Sequence, residues 1–189
     1  PRPKSSAASD VYKRQLREIA RNLAQLPSAP LVAVADHYGA MQRRAKREHP
    51  KAASYDNYQD LLKDKNVEGV VIATAPHDHK EIAIAALRSG KHVYCESPLG
   101  GTVEDAKAIA KAAAEHPQQN FQAGLQFRSE PQRHFMFPFM RAGAIGKAVH
   151  ARTQWHKKTS WRFVSPNTER EKLINWRLDP ELSLSLIHI

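Results

Sequence analysis

Apolar positions along this chain follow two alternating patterns. Residues 31–35 (LVAVA) and 69–75 (GVVIATA) are short continuous apolar runs, which read as strands buried on both faces. Residues 92–95 (HVYC) and 121–125 predict two more strands. Between them the apolar residues fall at helical spacing. Leu16, Ile19, Ala20, Leu23 and Leu26 share one helix face before Pro27 and Pro30 interrupt it. Residues 40–48 predict a basic helix that Pro50 ends. Asp78, three residues before Glu81, suggests a capping box opening a helix through Ile82, Ala83, Ala86 and Leu87 to a stop at Gly90. Thr102 is placed to cap a helix with Val103, Ala106, Ile109, Ala110 and Ala113 on one face. Pro131 opens another, whose stripe of Phe135, Met136, Phe139 and Met140 reads as core.

Strand and helix thus alternate at least three times, which predicts an α/β fold: a doubly wound parallel sheet with helices on both sides. After Gly143 the pattern changes. In residues 147–156 (KAVHARTQWH), Val149, Ala151, Thr153 and Trp155 alternate with His150, Arg152, Gln154 and His156, as in a half-exposed strand. That strand is expected to begin a second, mainly antiparallel α+β domain.

Length and composition narrow the picture. With 189 residues, of which 41% are apolar, the chain accommodates one domain plus part of another, and global disorder is excluded. No run approaches the ~20 apolar residues of a membrane helix. The one cysteine, Cys95, forms no internal disulfide and no metal cluster. The net charge of +10 is spread over Arg43, Arg44, Lys46 and Arg47, then Lys63 and Lys65, then Lys157 and Lys158. Without a nucleic-acid-binding motif around them, these read as solvated helix faces, and neither nucleic acid nor membrane is expected as a partner. The strings SSAASDVYKRQ (5–15) and LSLIHI (184–189) resemble translated sequencing-adapter read-through. Residues 1–15 and 183–189 are therefore expected to be non-native tails. They flank an incomplete nucleotide domain at 16–143 and the start of a substrate and oligomerisation domain at 144–182. The compartment stays open, with the cytoplasm favoured over export.

In an open parallel sheet, ligands bind beyond the carboxyl ends of the strands. The residues there are Asp36, 74–79, 96–99 and 126–128. A carboxylate at Asp36, which His37 follows, can bond both hydroxyls of an adenine ribose and repel a 2′-phosphate, favouring NAD over NADP. A strand-end or helix-capping aspartate is the alternative, and nearby Arg43 and Arg44 leave NADP open. His77 and His79 bracket Asp78, but no acidic or cysteine partner at ligand spacing supports a metal, and none is expected. Glu96 suits a ribose contact, a base or a turn cap.

Four segments in order, VVIATAPHDH (70–79), GKHVYCESPL (90–99), GLQFRSEP (124–131) and GAIGK (143–147), resemble the glucose–fructose oxidoreductase/inositol dehydrogenase (Gfo/Idh/MocA) family. The resemblance implies a Rossmann-type domain binding NAD or NADP, then an α+β domain supporting homo-oligomers. It also implies hydride transfer to or from a sugar, cyclitol or related polyol. An NAD-dependent glycosidase or a non-catalytic, nucleotide-binding regulatory relative are the alternatives it leaves. By resemblance, Asp36 matches the ribose-binding acid. Thr74, Ala75 and His79 match the loop beside the cofactor, and Glu96 matches the acid of a Glu-Lys-Pro motif. Gln126 and Arg128 match the loop flanking the nicotinamide. His156, Lys157, Trp161 and Arg162, in WHKKTSWR, match an entry to the substrate domain where sugar hydroxyls are met. The chain departs from the family in three ways. The G-x-G-x-x-G turn is absent, Ser97 stands in place of the motif lysine, and no residue matches the histidine base of the second domain. Serine carries no charge and cannot replace lysine as an acid at neutral pH. The chain by itself is therefore expected to be inactive.

Overall fold

The computed structural model describes residues 28–36 and 39–147 and, outside them, 19, 21–23, 25, 149–152, 154, 162, 164–166, 168–175 and 178–179. Among the described residues, five strands alternate with helices. They are β1 (Ala33–Ala35), α1 (Gly39–Glu48), β2 (Ala53–Tyr55), α2 (Tyr58–Lys63), β3 (Gly69–Ile72), α3 (Pro76–Arg88), β4 (His92–Glu96), α4 (Val103–Glu115) and β5 (Phe121–Gly124). A 3₁₀ turn (Gln126–Ser129), α5 (Pro131–Arg141) and α6 (Thr168–Ile174) follow.

All strand pairing among the described residues is parallel. β1 pairs with β2, Val34 opposite Ser54. β3, β4 and β5 form a second ladder in that order, with Val70 opposite Val93 and Cys95 opposite Ala123. Because side chains alternate across a strand, Val93 and Cys95 face one side of β4 and Tyr94 and Glu96 the other. Val93 and Cys95 join Ile72, Ala83, Ala86, Leu87, Ile109 and Ala112 in the hydrophobic core. Alanines on α3 and α4 let these helices lie close to each other and to the sheet, where Leu87 and Ile109 are fully buried. Burial of a leucine side chain contributes roughly 1.5–3 kcal/mol.

Local signals explain the helix ends. α3 closes with Gly90 at φ 74°, a left-handed conformation that costs glycine nothing. The Gly90 amide donates to the Leu87 carbonyl and the Lys91 amide to that of Ala86, the pairing of a Schellman motif. Thr102 caps α4, its hydroxyl accepting from the Asp105 amide at 3.0 Å. Thr102→Ala should therefore lower the unfolding free energy by about 1 kcal/mol, read as a shifted urea midpoint with unchanged slope. Long-range polar contacts tie the ladders together. The Tyr55 hydroxyl donates to Asp64 at 2.9 Å, the Tyr58 hydroxyl to Glu81 at 2.6 Å, and the Lys91 ammonium to the carbonyls of Asp64 and Val67.

Several expectations need correction. Asp78 does not cap α3: the helix starts at Pro76 with Ala75 in the cap position, so Asp78 lies inside the first turn. Pro76 sets the start, since its fixed φ and missing N–H suit the first helical residue. β1 is half-buried, because its pairing among the described residues is with β2 alone. β2 and α2 carry too short an apolar pattern to have been read from periodicity. The stripe on α5 is not core: Phe135 is 71% exposed, Met136 58%, Phe139 52% and Met140 48%. Periodicity identifies an apolar face but not what covers it, and α5 packs chiefly on the 3₁₀ turn before it. The described residues of 147–156 belong to no strand. A lone alternating segment gains a ladder only beside a partner strand.

Candidate functional site

The carboxyl ends of β1, β3, β4 and β5 carry the residues singled out in the sequence. Asp36 directly follows β1, its amide donating to the Tyr55 carbonyl across the ladder at 3.2 Å. Gln42, on the first turns of α1, donates to the Asp36 carbonyl and to the Asp56 carboxylate, the latter at 2.7 Å. The position of Asp36 is thus set from three elements.

Beyond β3, Thr74 and Ala75 form the turn into α3. Ala75 is fully buried. The Thr74 hydroxyl oxygen is buried and has no hydrogen-bond partner among the described residues. An orphaned hydroxyl costs free energy unless something fills its lone pairs or takes its proton. One turn into α3, His79 is completely buried. Its Nε2 lies 3.0 Å from the Thr74 carbonyl oxygen and its Nδ1 3.0 Å from that of Pro98. Burial pulls the imidazole below its usual pKa, against the smaller opposing effect of these two carbonyls.

At the end of β4, Glu96 is 7% exposed and accepts a hydrogen bond from the Tyr94 hydroxyl at 3.0 Å. Burial, then the bond to Glu96, pushes Tyr94 up to about 12. The two side chains lie two residues apart and so share one face of the strand. Burial also pushes the Cys95 thiol up to about 12, so it is an unreactive core residue rather than a nucleophile. Ser97 donates its hydroxyl proton to the Gly124 carbonyl at 3.0 Å, linking the loop after β4 to the end of β5. Gly124 is required there by space. A Cβ at that position would stand 3.0 Å from the Glu96 Cα, 3.1 Å from the Cys95 carbonyl oxygen and 2.9 Å from the Tyr94 hydroxyl. Gly100 likewise abuts the first turn of α4, where a Cβ would meet that of Asp105 at 2.7 Å. Beside Tyr94, a cavity of about 370 Å³ opens between Gln122 on the sheet and Leu125, Ser129 and Pro131.

The structure therefore places Thr74, Ala75, His79, Glu96 and Ser97 side by side at the ends of β3 and β4, with His79 between the Thr74 and Pro98 carbonyls and Ser97 bonded to the end of β5. Gln126 opens the 3₁₀ turn after β5, and Arg128, exposed, closes its amide onto the Leu125 carbonyl. Arg162 pairs with Glu171 at 2.8 Å. His37, His156, Lys157 and Trp161 lie outside the described residues. Tyr94, Gly124 and Gln42 were missed in the sequence. Tyr94 was visible as the same-face neighbour of Glu96, and Gly124 as a glycine closing an apolar strand. Gln42 had no local signal. No group of three histidine, cysteine or acidic residues able to hold a metal occurs among the described residues. None of their helices is long and apolar enough to cross a membrane.

Parallel strand pairing with a helix between the strands of each ladder defines an α/β protein of the Rossmann class. Residues 12–124 match the model of the oxidoreductase family with an NAD-binding Rossmann fold, and the chain belongs to that family. It is 31% identical over 166 residues to inositol 2-dehydrogenase of Rubrobacter xylanophilus, covering 84% of this chain and 47% of that protein. It is 33% identical over 118 residues to levoglucosan dehydrogenase of Pseudarthrobacter phenanthrenivorans, covering 58% of this chain and 30% of that protein. Among solved structures, scyllo-inositol dehydrogenase of Lactobacillus casei with bound NAD(H) and scyllo-inositol superimposes with a TM-score of 0.66 at 25% identity. That match covers 70% of this chain and 39% of the other. The chain spans less than half the length of these relatives.

Proposed function

We propose that the full-length protein is an NAD-dependent oxidoreductase of a cyclitol, sugar or related polyol, with residues 144–182 beginning its substrate domain. The carrying observation is the orphaned Thr74 hydroxyl beside a braced row of loops at the carboxyl end of the sheet. Those residues fit a nicotinamide dinucleotide. Asp36 and His37 would hold the adenine ribose, Thr74 and Ala75 the turn beside the cofactor, and Glu96 and Gln126 the nicotinamide end. When bound, the dinucleotide supplies the hydride acceptor or donor. Arg128, His156, Lys157, Trp161 and Arg162 are proposed to meet the polyol.

The chain's own residues then orient the substrate and exclude water. Ser97, at the motif's lysine position, has its single proton committed to the Gly124 carbonyl. It offers the site lone pairs and no acid. Proton transfer from the polyol hydroxyl therefore falls to another group, and Ser97 serves by holding the loop.

Titrating the full-length protein with NADH and NADPH and following nicotinamide fluorescence tests this reading. NADH should bind more tightly. Asp36→Ala should weaken NADH binding about tenfold, the loss of one charged ribose contact, and narrow the preference between the two nucleotides. Absence of binding by either nucleotide would overturn the oxidoreductase reading.

A further inference from the structure

His79 touches two loops that come from different strands. Nε2 faces the Thr74 carbonyl in the loop after β3, and Nδ1 faces the Pro98 carbonyl in the loop after β4, each at 3.0 Å. Both facing atoms are acceptors. A neutral imidazole carries one N–H, so it donates to one carbonyl and turns a lone pair to the other; only the imidazolium donates to both. Burial disfavours the imidazolium. The ring is fully buried, so it acts on a ligand through the loops and not by touching it.

We propose that His79 is a positioning residue packed as a staple between the Thr74 loop and the Ser97–Pro98 loop, its one ring proton holding the carbonyl of one loop while the ring buttresses the other. This rests on the reading of this end of the sheet as the cofactor and polyol site. The brace extends further, because Ser97 in turn donates to Gly124. His79, lying between the loops after β3 and β4, and Ser97, bonded to the end of β5, together brace this end of the sheet. At one end of this brace is Thr74, whose carbonyl faces His79 and whose hydroxyl is orphaned.

Three substitutions in the full-length protein separate this role from core filling. The amide nitrogen of His79→Gln reaches the Nε2 position and keeps the Thr74 bond. That of His79→Asn stands at the Nδ1 position and keeps the Pro98 bond. His79→Leu fills the space and keeps neither. A stapling role predicts that the leucine variant binds NADH about tenfold more weakly, with the glutamine and asparagine variants between it and the parent. It also predicts a raised KM for the polyol with a smaller change in kcat. A space-filling role predicts the reverse order, leucine being the best tolerated in an apolar core, and that order would overturn the proposal. Amide hydrogen exchange of the ligand-free variants reads the staple without any nucleotide. His79→Gln should protect the amides around Thr74 and leave those of Ser97 and Leu99 faster, and His79→Asn the opposite. Equal protection of both loops in the two variants overturns the staple. Failure of the parent protein to bind NADH overturns the functional reading and leaves the exchange comparison to decide the staple. If the leucine variant does not fold, the opposed pattern of the other two still decides.

Discussion

Leu87→Ala should cost about 2–5 kcal/mol of stability, the range for emptying a fully buried leucine site. Leu87 lies at the end of α3, wholly removed from solvent, in the cluster that includes Val93, Cys95 and Ile109. Its neighbours there include Ala83, Ala86 and Ala112, which have no side-chain length with which to fill the space it would leave. The loss should therefore lie in the upper part of the range. Leu87→Met, which keeps volume, should cost less than about 1.5 kcal/mol. Urea unfolding of the two variants beside the parent measures the difference. Equal midpoints for Leu87→Ala and the parent would mean that this helix does not pack on the sheet as described.

Gly124→Ala should lower stability by about 1–3 kcal/mol, as an inserted methyl group does in a filled interior. The clash is with main chain, at the Glu96 Cα and the Cys95 carbonyl, so relief requires β4 and β5 to move apart. The Tyr94 hydroxyl, also in the way, can swing aside, but only by leaving the Glu96 carboxylate. The substitution therefore carries a spectroscopic sign of its own. Tyr94, held up to about 12 by burial and by that bond, should titrate lower in the variant, nearer an ordinary tyrosine. Ultraviolet titration of the phenol checks it. An unshifted Tyr94 would show that the strands moved far enough apart to leave its hydroxyl in place.

What was legible in the sequence follows from range. The runs 69–75, 92–95 and 121–125 became β3, β4 and β5 because their apolar residues are buried by helices next to them in the chain. Thr102 and Gly90 were legible because a cap is decided within four residues. The class of fold and the positions of Thr74, Glu96 and Ser97 followed from these, since loop positions in a parallel sheet are fixed by where the strands end. Distance along the chain hid the rest. The pairing of Ala33 with Ala53 joins a strand legible as an apolar run to a segment whose own pattern is weak, so β2 left no trace. The fate of the Phe135–Met140 stripe depends on what lies against it, which no periodicity records. The double engagement of His79 by Thr74 and Pro98 arises from two loops meeting, and the motif carrying the histidine says nothing of either partner.

Every ladder described above joins strands with a whole helix between them, and this governs the order of assembly. Among the described residues, β3 has no ladder partner until α3 has turned the chain back and β4 has emerged, and β4 waits in the same way on α4. Closing those loops is an entropic cost met before the pairing returns anything. Acquisition of this sheet should therefore run at the pace of mixed α/β domains, slower than helical bundles of similar size, and α3 must be in place for the first ladder to close.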